Sequence, residues 1–162
     1  MTAPCRRGKV NGTYVNSALI KSDAMLSGFD DALVLNQDGH VAEGSAANFM
    51  MVRDGVLITP PVTSNILEGI TRRTIMELAR EVLGLDVVER EIDRSELYLC
   101  DEAFYCGTGA KVTPISTIDH RPVGMAASAA SPTDPRPLFP GPHGKESKYM
   151  HWLTPVRQLA LA

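Results

Sequence analysis

The chain has 162 residues, enough for one domain with a substantial core. Its 44% hydrophobic and 22% charged residues are those of an ordinary globular protein, and a net charge of −3 gives no bulk attraction to nucleic acid or an anionic membrane. No apolar run approaches the roughly 20 residues of a membrane-spanning helix, and Cys5, Cys100 and Cys106 form neither a C-x-x-C pair nor a disulfide framework, which suits a reduced, cytoplasmic setting.

Arg6 and Arg7 have no apolar stretch behind them, so the start of the chain does not read as a secretory signal. The run Lys9-Val10-Asn11-Gly12-Thr13-Tyr14 is short and irregular. After it, Val15, Leu19 and Leu26 fall near helical spacing, with Gly28 suited to the position just past a helix end. Ala32 to Leu35 is expected to form a short buried strand, and Asp38-Gly39 a tight turn leading to Val41. Phe49 to Val52 and Val56 to Ile58 flank Asp54-Gly55, the strongest hairpin signal in the chain. Thr59-Pro60-Pro61 should end that hairpin, because proline has no N–H to donate to a ladder.

The clearest helix carries Ile75, Leu78, Ala79, Val82 and Leu83 on one face, with Gly84 closing it. Val87 to Ile92 is expected as a strand, and Asp93-Arg94-Ser95-Glu96 matches a capping box for a short helical turn. Ala103 to Cys106 and Val112 to Ile118 are expected as strands on either side of a Gly107-Thr108-Gly109 loop, and Asp119-His120-Arg121-Pro122 turns the chain again. Hairpins with two helices predict an α+β domain rather than a regular βαβ array. From Met125 to Gly144 the chain holds five of its eleven prolines behind an Ala/Ser-rich opening, with no apolar periodicity. An irregular segment is expected there, from an inserted loop or a local reading-frame shift. Tyr149 to Val156, with Trp152 and Leu153, regains the capacity to pack.

Four segments stand out for chemistry: the Lys9, Gly12, Tyr14 run, then Glu43-Gly44-Ser45-Ala46-Ala47-Asn48, then Leu67-Glu68-Gly69-Ile70-Thr71-Arg72, then Gly107-Thr108-Gly109-Ala110. Taken singly, each has an ordinary meaning. Lys9 is a solvated lysine, Tyr14 a packing tyrosine, Glu43 a turn carboxylate, Thr71 a helix cap and Gly107-Thr108-Gly109 a tight turn. In this order and spacing they resemble the class IV (fold type IV) aminotransferases, which use pyridoxal 5'-phosphate, and among them the branched-chain amino acid aminotransferases. The resemblance runs from about Lys9 to Gly124, supported by Asp30-Asp31-Ala32-Leu33, Thr59-Pro60-Pro61 and Arg121-Pro122-Val123-Gly124, with a faint return at Tyr149 to Val156.

This resemblance implies a role for each residue. Lys9 would hold the cofactor covalently and move the substrate Cα proton. Glu43 would face the pyridine nitrogen, and Tyr14 would hydrogen-bond the ring hydroxyl. Leu67 would pack against the ring. Gly69, Ile70 and Thr71, at a helix N-terminus, would bind the phosphate with help from Thr108. Thr108 and the N–H groups that follow, Gly109 among them, would hold the substrate carboxylate. No metal is implied. The expected fold is the large C-terminal domain of the family, a mixed, barrel-like sheet with flanking helices, over residues 1–124. Residues 125–147 would be the irregular segment and 148–162 a tail. Relatives carry a smaller domain ahead of the lysine, where eight residues precede Lys9 here, and that domain supplies a phosphate-binding arginine and much of the substrate pocket. The implied activity is amino-group exchange between Leu, Ile or Val and 2-oxoglutarate in a cytoplasmic homodimer. The alternatives are a catalytically inactive truncated fragment, or a scaffold relative such as a D-amino acid aminotransferase or an aminodeoxychorismate lyase. Ala46-Ala47 stands where the family often has Gly-Glu, a departure that bears on substrate rather than cofactor.

Overall fold

Strands rich in β-branched and aromatic residues need their ladders completed and their apolar faces covered, and those needs set the architecture. The computed structural model describes residues 8–124. The proline-rich block at Met125 to Gly144 and the Tyr149 to Val156 segment lie outside the described residues. Helix α1 (Thr13–Leu26) is followed by β1 (Leu33–Leu35), β2 (Val41–Gly44), β3 (Asn48–Arg53) and β4 (Val56–Thr59). Helix α2 (Ile70–Leu83) then leads to β5 (Asp86–Glu89), a 3-10 turn over Arg94–Leu99, β6 (Glu102–Gly107) and β7 (Lys111–Pro114). The small strands β8 (Thr117–Ile118) and β9 (Arg121–Pro122) close the described part.

The hairpin at Asp54-Gly55 forms as its sequence demands. Both residues have positive φ (52° and 74°), the geometry of the turn that follows strand twist. Strand β3 is the hub. It pairs antiparallel with β2, β4 and β6, while β7 extends β6 and β5 adds to β4 in parallel after the crossover through α2. The seven-stranded sheet is thus mixed, and no barrel closes among the described residues. Consecutive strand residues point to opposite faces. Phe49, Met50 and Met51 are all 0% exposed, so β3 is covered on both sides. One cover is the cluster of Val41, Phe49, Met51, Ile58, Ile92 and Leu97. On the other side α2 packs near β5 and β6 and buries Ile75, Met76, Leu78 and Ala79.

Several expectations need correction. Strand β1 forms at Leu33–Leu35 but is not buried: it lies at a sheet edge and leaves Leu35 exposed. The strand expected to reach Ile92 ends at Glu89, although Ile92 stays buried and its carbonyl accepts from the Val41 N–H at 2.9 Å. The capping box is absent: no side chain caps the 3-10 turn. Its two acids are engaged elsewhere, Asp93 with His40 at 3.2 Å and Glu96 with Arg90 at 2.9 Å. The strand expected over Val112 to Ile118 divides at Pro114 into β7 and β8, as a residue without an N–H requires. Both helix ends fall where glycine permits, with positive φ at Gly28 and Gly84. Helix α1, however, turns its apolar positions outward: Val15 and Leu19 are each 65% exposed and Leu26 is 89% exposed. No helix among the described residues is long and apolar enough to cross a membrane.

Candidate active site

The site is built around Asn48, a polar residue at the head of the apolar run Phe49 to Val52. Strands β2 and β3 meet in a short turn closed by the Gly44 N–H donating to the Ala47 carbonyl at 2.7 Å, which sets Glu43 opposite Asn48. The Asn48 amide Nδ2 donates to Glu43 Oε2 at 3.2 Å and to the Leu67 carbonyl at 2.7 Å. The Leu67 N–H returns a bond to the same Glu43 Oε2 at 3.1 Å. A carboxylate, an amide and a backbone strand of loop therefore lock together across segments far apart in sequence.

Two glycines make the closeness possible. A Cβ on Gly69 would lie 2.1 Å from Asn48 Oδ1, and one on Gly44 would lie 2.6 Å from the Tyr105 ring. Cys106 pairs with Asn48 across β3 and β6, and Gly107 sits beside Ala47. The Thr108–Gly109 turn thus leaves the sheet at the same end as the Glu43 turn and the start of α2. Helix α2 has Gly69 as its N-cap, no side-chain cap and no acidic residue in its first turn. The backbone donors at Ile70 and Thr71 have no such side-chain acceptor, the arrangement that favours an anion.

Electrostatics single out Glu43. Burial pushes its carboxyl above the usual range, opposed by the Leu67 N–H. Its neighbours stay neutral: burial, then the nearby Asp31, drives the Tyr105 phenol far up, and burial pushes the Cys106 thiol up to about 12 against the pull of Arg72. Arg72, buried in the first turn of α2, is committed elsewhere. Its Nη2 donates to the Pro60 carbonyl at 2.8 Å and to Glu89 at 2.7 Å, and its Nε to Thr59 Oγ1 at 3.2 Å.

Of the residues singled out in the sequence, Glu43, Leu67 and Gly69 come together around Asn48, Ile70 and Thr71 follow Gly69 in the first turn of α2, and Thr108 and Gly109 are exposed on the adjoining turn. Lys9 and Tyr14 do not join them by any contact: Lys9 is exposed before α1, Tyr14 is 45% exposed in its first turn, and no hydrogen bond or ion pair ties either to Glu43 among the described residues. A cavity of about 440 Å³ lies elsewhere, between Ile20 and Ala24 of α1 and Leu33, Tyr105 and Ile118. None of the predicted site residues lines it, and its charged lining is Asp23, Asp31, Asp119 and Arg94, with Arg94 paired to Asp119 at 3.2 Å. Sequence reasoning did not assign roles to Asn48 or Arg72. Both carried a signal, a polar group at a position where the surrounding pattern predicts burial.

The described residues are similar to known proteins over most of their length. The amino-transferase class IV family model matches residues 3–118. A probable branched-chain-amino-acid aminotransferase of Aquifex aeolicus is 46% identical over 151 residues, which are 93% of this chain and 49% of that protein. The crystal structure of the branched-chain aminotransferase from Thermoproteus uzoniensis with norvaline superposes with a TM-score of 0.77 at 42% identity, covering 93% of this chain and 50% of the other. The PLP-form of the Thermobaculum terrenum branched-chain amino acid aminotransferase gives a TM-score of 0.72 at 53% identity over 75% of this chain and 39% of that one. The chain spans about half the length of the curated relatives it matches.

Proposed function

The chain belongs to the class IV amino-transferase family, and from that footing we propose that it is the cofactor-binding part of a pyridoxal 5'-phosphate-dependent branched-chain-amino-acid aminotransferase. The reaction is amino-group exchange between Leu, Ile or Val and 2-oxoglutarate. One observation carries the proposal: the bonds joining Glu43, Asn48 and Leu67 bring a half-buried carboxylate to the uncapped N-terminus of α2. Those are the two charges the cofactor needs answered, at its ring nitrogen and its phosphate.

The residues fit that group. Glu43 would accept the ring N–H and keep that nitrogen protonated. The Ile70 and Thr71 backbone donors, the Thr71 hydroxyl and the Thr108 hydroxyl would hold the phosphate. Leu67 would pack on the ring and Tyr14 would bond its hydroxyl. Lys9 Nζ would anchor the cofactor and carry the proton on and off the substrate Cα, and the Gly109 N–H would steady the substrate carboxylate. When bound, the cofactor supplies an electron sink for that deprotonation. The working form is a homodimer in the cytoplasm, a state that the bare apolar face of α1 supports on the side of assembly. Residues 1–124 are the cofactor-binding domain, with 125–147 and 148–162 as separate segments.

The test is direct. The full chain is titrated with cofactor, reduced with borohydride and mapped by peptide mass, and the label is expected on Lys9. A label on Lys21 or Lys111, or none, would overturn the assignment. Single-turnover amine transfer from L-leucine, compared with D-alanine, then separates a branched-chain enzyme from a D-amino acid one. Cofactor binding with no transfer to either marks an inactive chain, the second reading, which the exposure of Lys9 favours.

A further inference from the structure

Resting on that cofactor reading, we infer that Asn48 is the positioning residue of the site: its amide fixes the Glu43 carboxylate with Oε2 turned to the protein and Oε1 left open for the ring N–H. The amide has one workable orientation. Its two neighbours, a carboxylate oxygen and a backbone carbonyl, are both acceptors, so the NH₂ group must face them and each of its protons is used. The carbonyl end is held against Gly69, where even a Cβ would intrude at 2.1 Å. Asn48 is itself buried and sits at the start of β3, opposite both Glu43 and Cys106, so the strand ladders on either side deny it other positions.

The consequence for Glu43 is specific. Oε2 receives two donors, from Asn48 Nδ2 and the Leu67 N–H, while Oε1 has no hydrogen-bond partner among the described residues. Donors to a carboxylate favour its charged form against the burial that opposes it. Among the described residues no cation pairs with Glu43. Tyr105 and Cys106 are neutral, and the Arg72 guanidinium is turned to Pro60, Thr59 and Glu89. The charge on Glu43 therefore rests on uncharged donors, the Leu67 N–H and the Asn48 amide, and the direction in which it is offered on the bonds that they make to Oε2.

The decisive experiment follows the Glu43 side-chain carbon by NMR through a pH titration of the cofactor-free full chain, in the wild type, Asn48→Leu and Gly69→Ala. The leucine removes both donors at similar volume, and the alanine displaces the amide without removing it. The expected result is a carboxyl midpoint raised by about one pH unit or more in both variants. The acid limb of pyridoxal 5'-phosphate affinity, read by fluorescence, should move by the same amount. If Asn48→Leu fails to fold, Gly69→Ala and the smaller Asn48→Ser carry the comparison. A folded variant with an unmoved midpoint overturns the inference. Wild-type protein that binds no cofactor sinks the functional reading instead, and the midpoints still decide whether Asn48 governs Glu43.

Discussion

A half-buried carboxylate that the proposed chemistry needs in its charged form sets stability against function at Glu43. Because burial raises its pKa above the ordinary 4.5, the folded cofactor-free chain binds that proton more tightly than the unfolded one. Its contribution to folding therefore weakens as pH rises from the ordinary carboxylate range through the raised value. Glu43→Gln removes that penalty, so the variant should melt higher than wild type at neutral pH in a calorimetric scan of the cofactor-free chain. The same change should slow amine transfer from leucine by on the order of a hundredfold, since a neutral amide cannot hold the ring proton. Cofactor affinity in the wild type should fall as pH drops through the raised carboxyl value, and that limb should vanish in the variant. A variant that melts lower and transfers amine at the wild-type rate would remove Glu43 from this role.

Arg72 plays the equivalent part for an element. It lies in the first turn of α2, yet its guanidinium reaches back to the ends of β4 and β5, through Thr59, Pro60 and Glu89. The helix start is thus tied to the sheet at the point where it would meet a phosphate. Arg72→Met keeps the apolar stem and leaves the Pro60 carbonyl and Thr59 hydroxyl without their donor. Glu89 is 40% exposed and can turn to water, so the loss should be about 1–3 kcal/mol by urea unfolding, the cost of unmet buried hydrogen bonds rather than of a stranded charge. A change below about 0.5 kcal/mol would mean that the guanidinium ties nothing down. The elements themselves were legible wherever local chemistry decides. The Asp54-Gly55 turn, the Gly84 stop of α2 and the prolines ending β4 all follow from backbone rules, while the α2 face is buried at Ile75, Leu78 and Ala79 but leaves Val82 and Leu83 exposed in the last turn. What the sequence could not carry was competition between distant partners. The Asp93-Arg94-Ser95-Glu96 pattern is a sound capping box until His40 and Arg90 arrive to claim its two acids. Likewise Glu43, Leu67 and Thr71 were visible as candidates through the resemblance. The amide that joins the first two was visible only as a polar residue before an apolar strand.

At the scale of the whole molecule the unanswered surface is α1. Val15, Leu19 and Leu26 recur at helical spacing on one face, yet they are 65%, 65% and 89% exposed, and Met25 beside them is 62% exposed. Only Ala24 of that helix is buried, so packing within the described residues does not account for an apolar face of this size. Exposed contiguous apolar surface of this kind marks an interface. The chain spans about half the length of the curated relatives it matches. The isolated chain should therefore self-associate. Sedimentation velocity at micromolar concentration should give a dimer or larger species for the wild type. The double variant Leu19→Glu, Leu26→Glu should shift it toward monomer. Because both leucines are mostly exposed, the two changes together should cost no more than about 1 kcal/mol, twice the half-kilocalorie scatter of ordinary surface substitutions. A wild-type chain that sediments as a clean monomer, or a double variant that unfolds, would mean that α1 is already covered from within the chain.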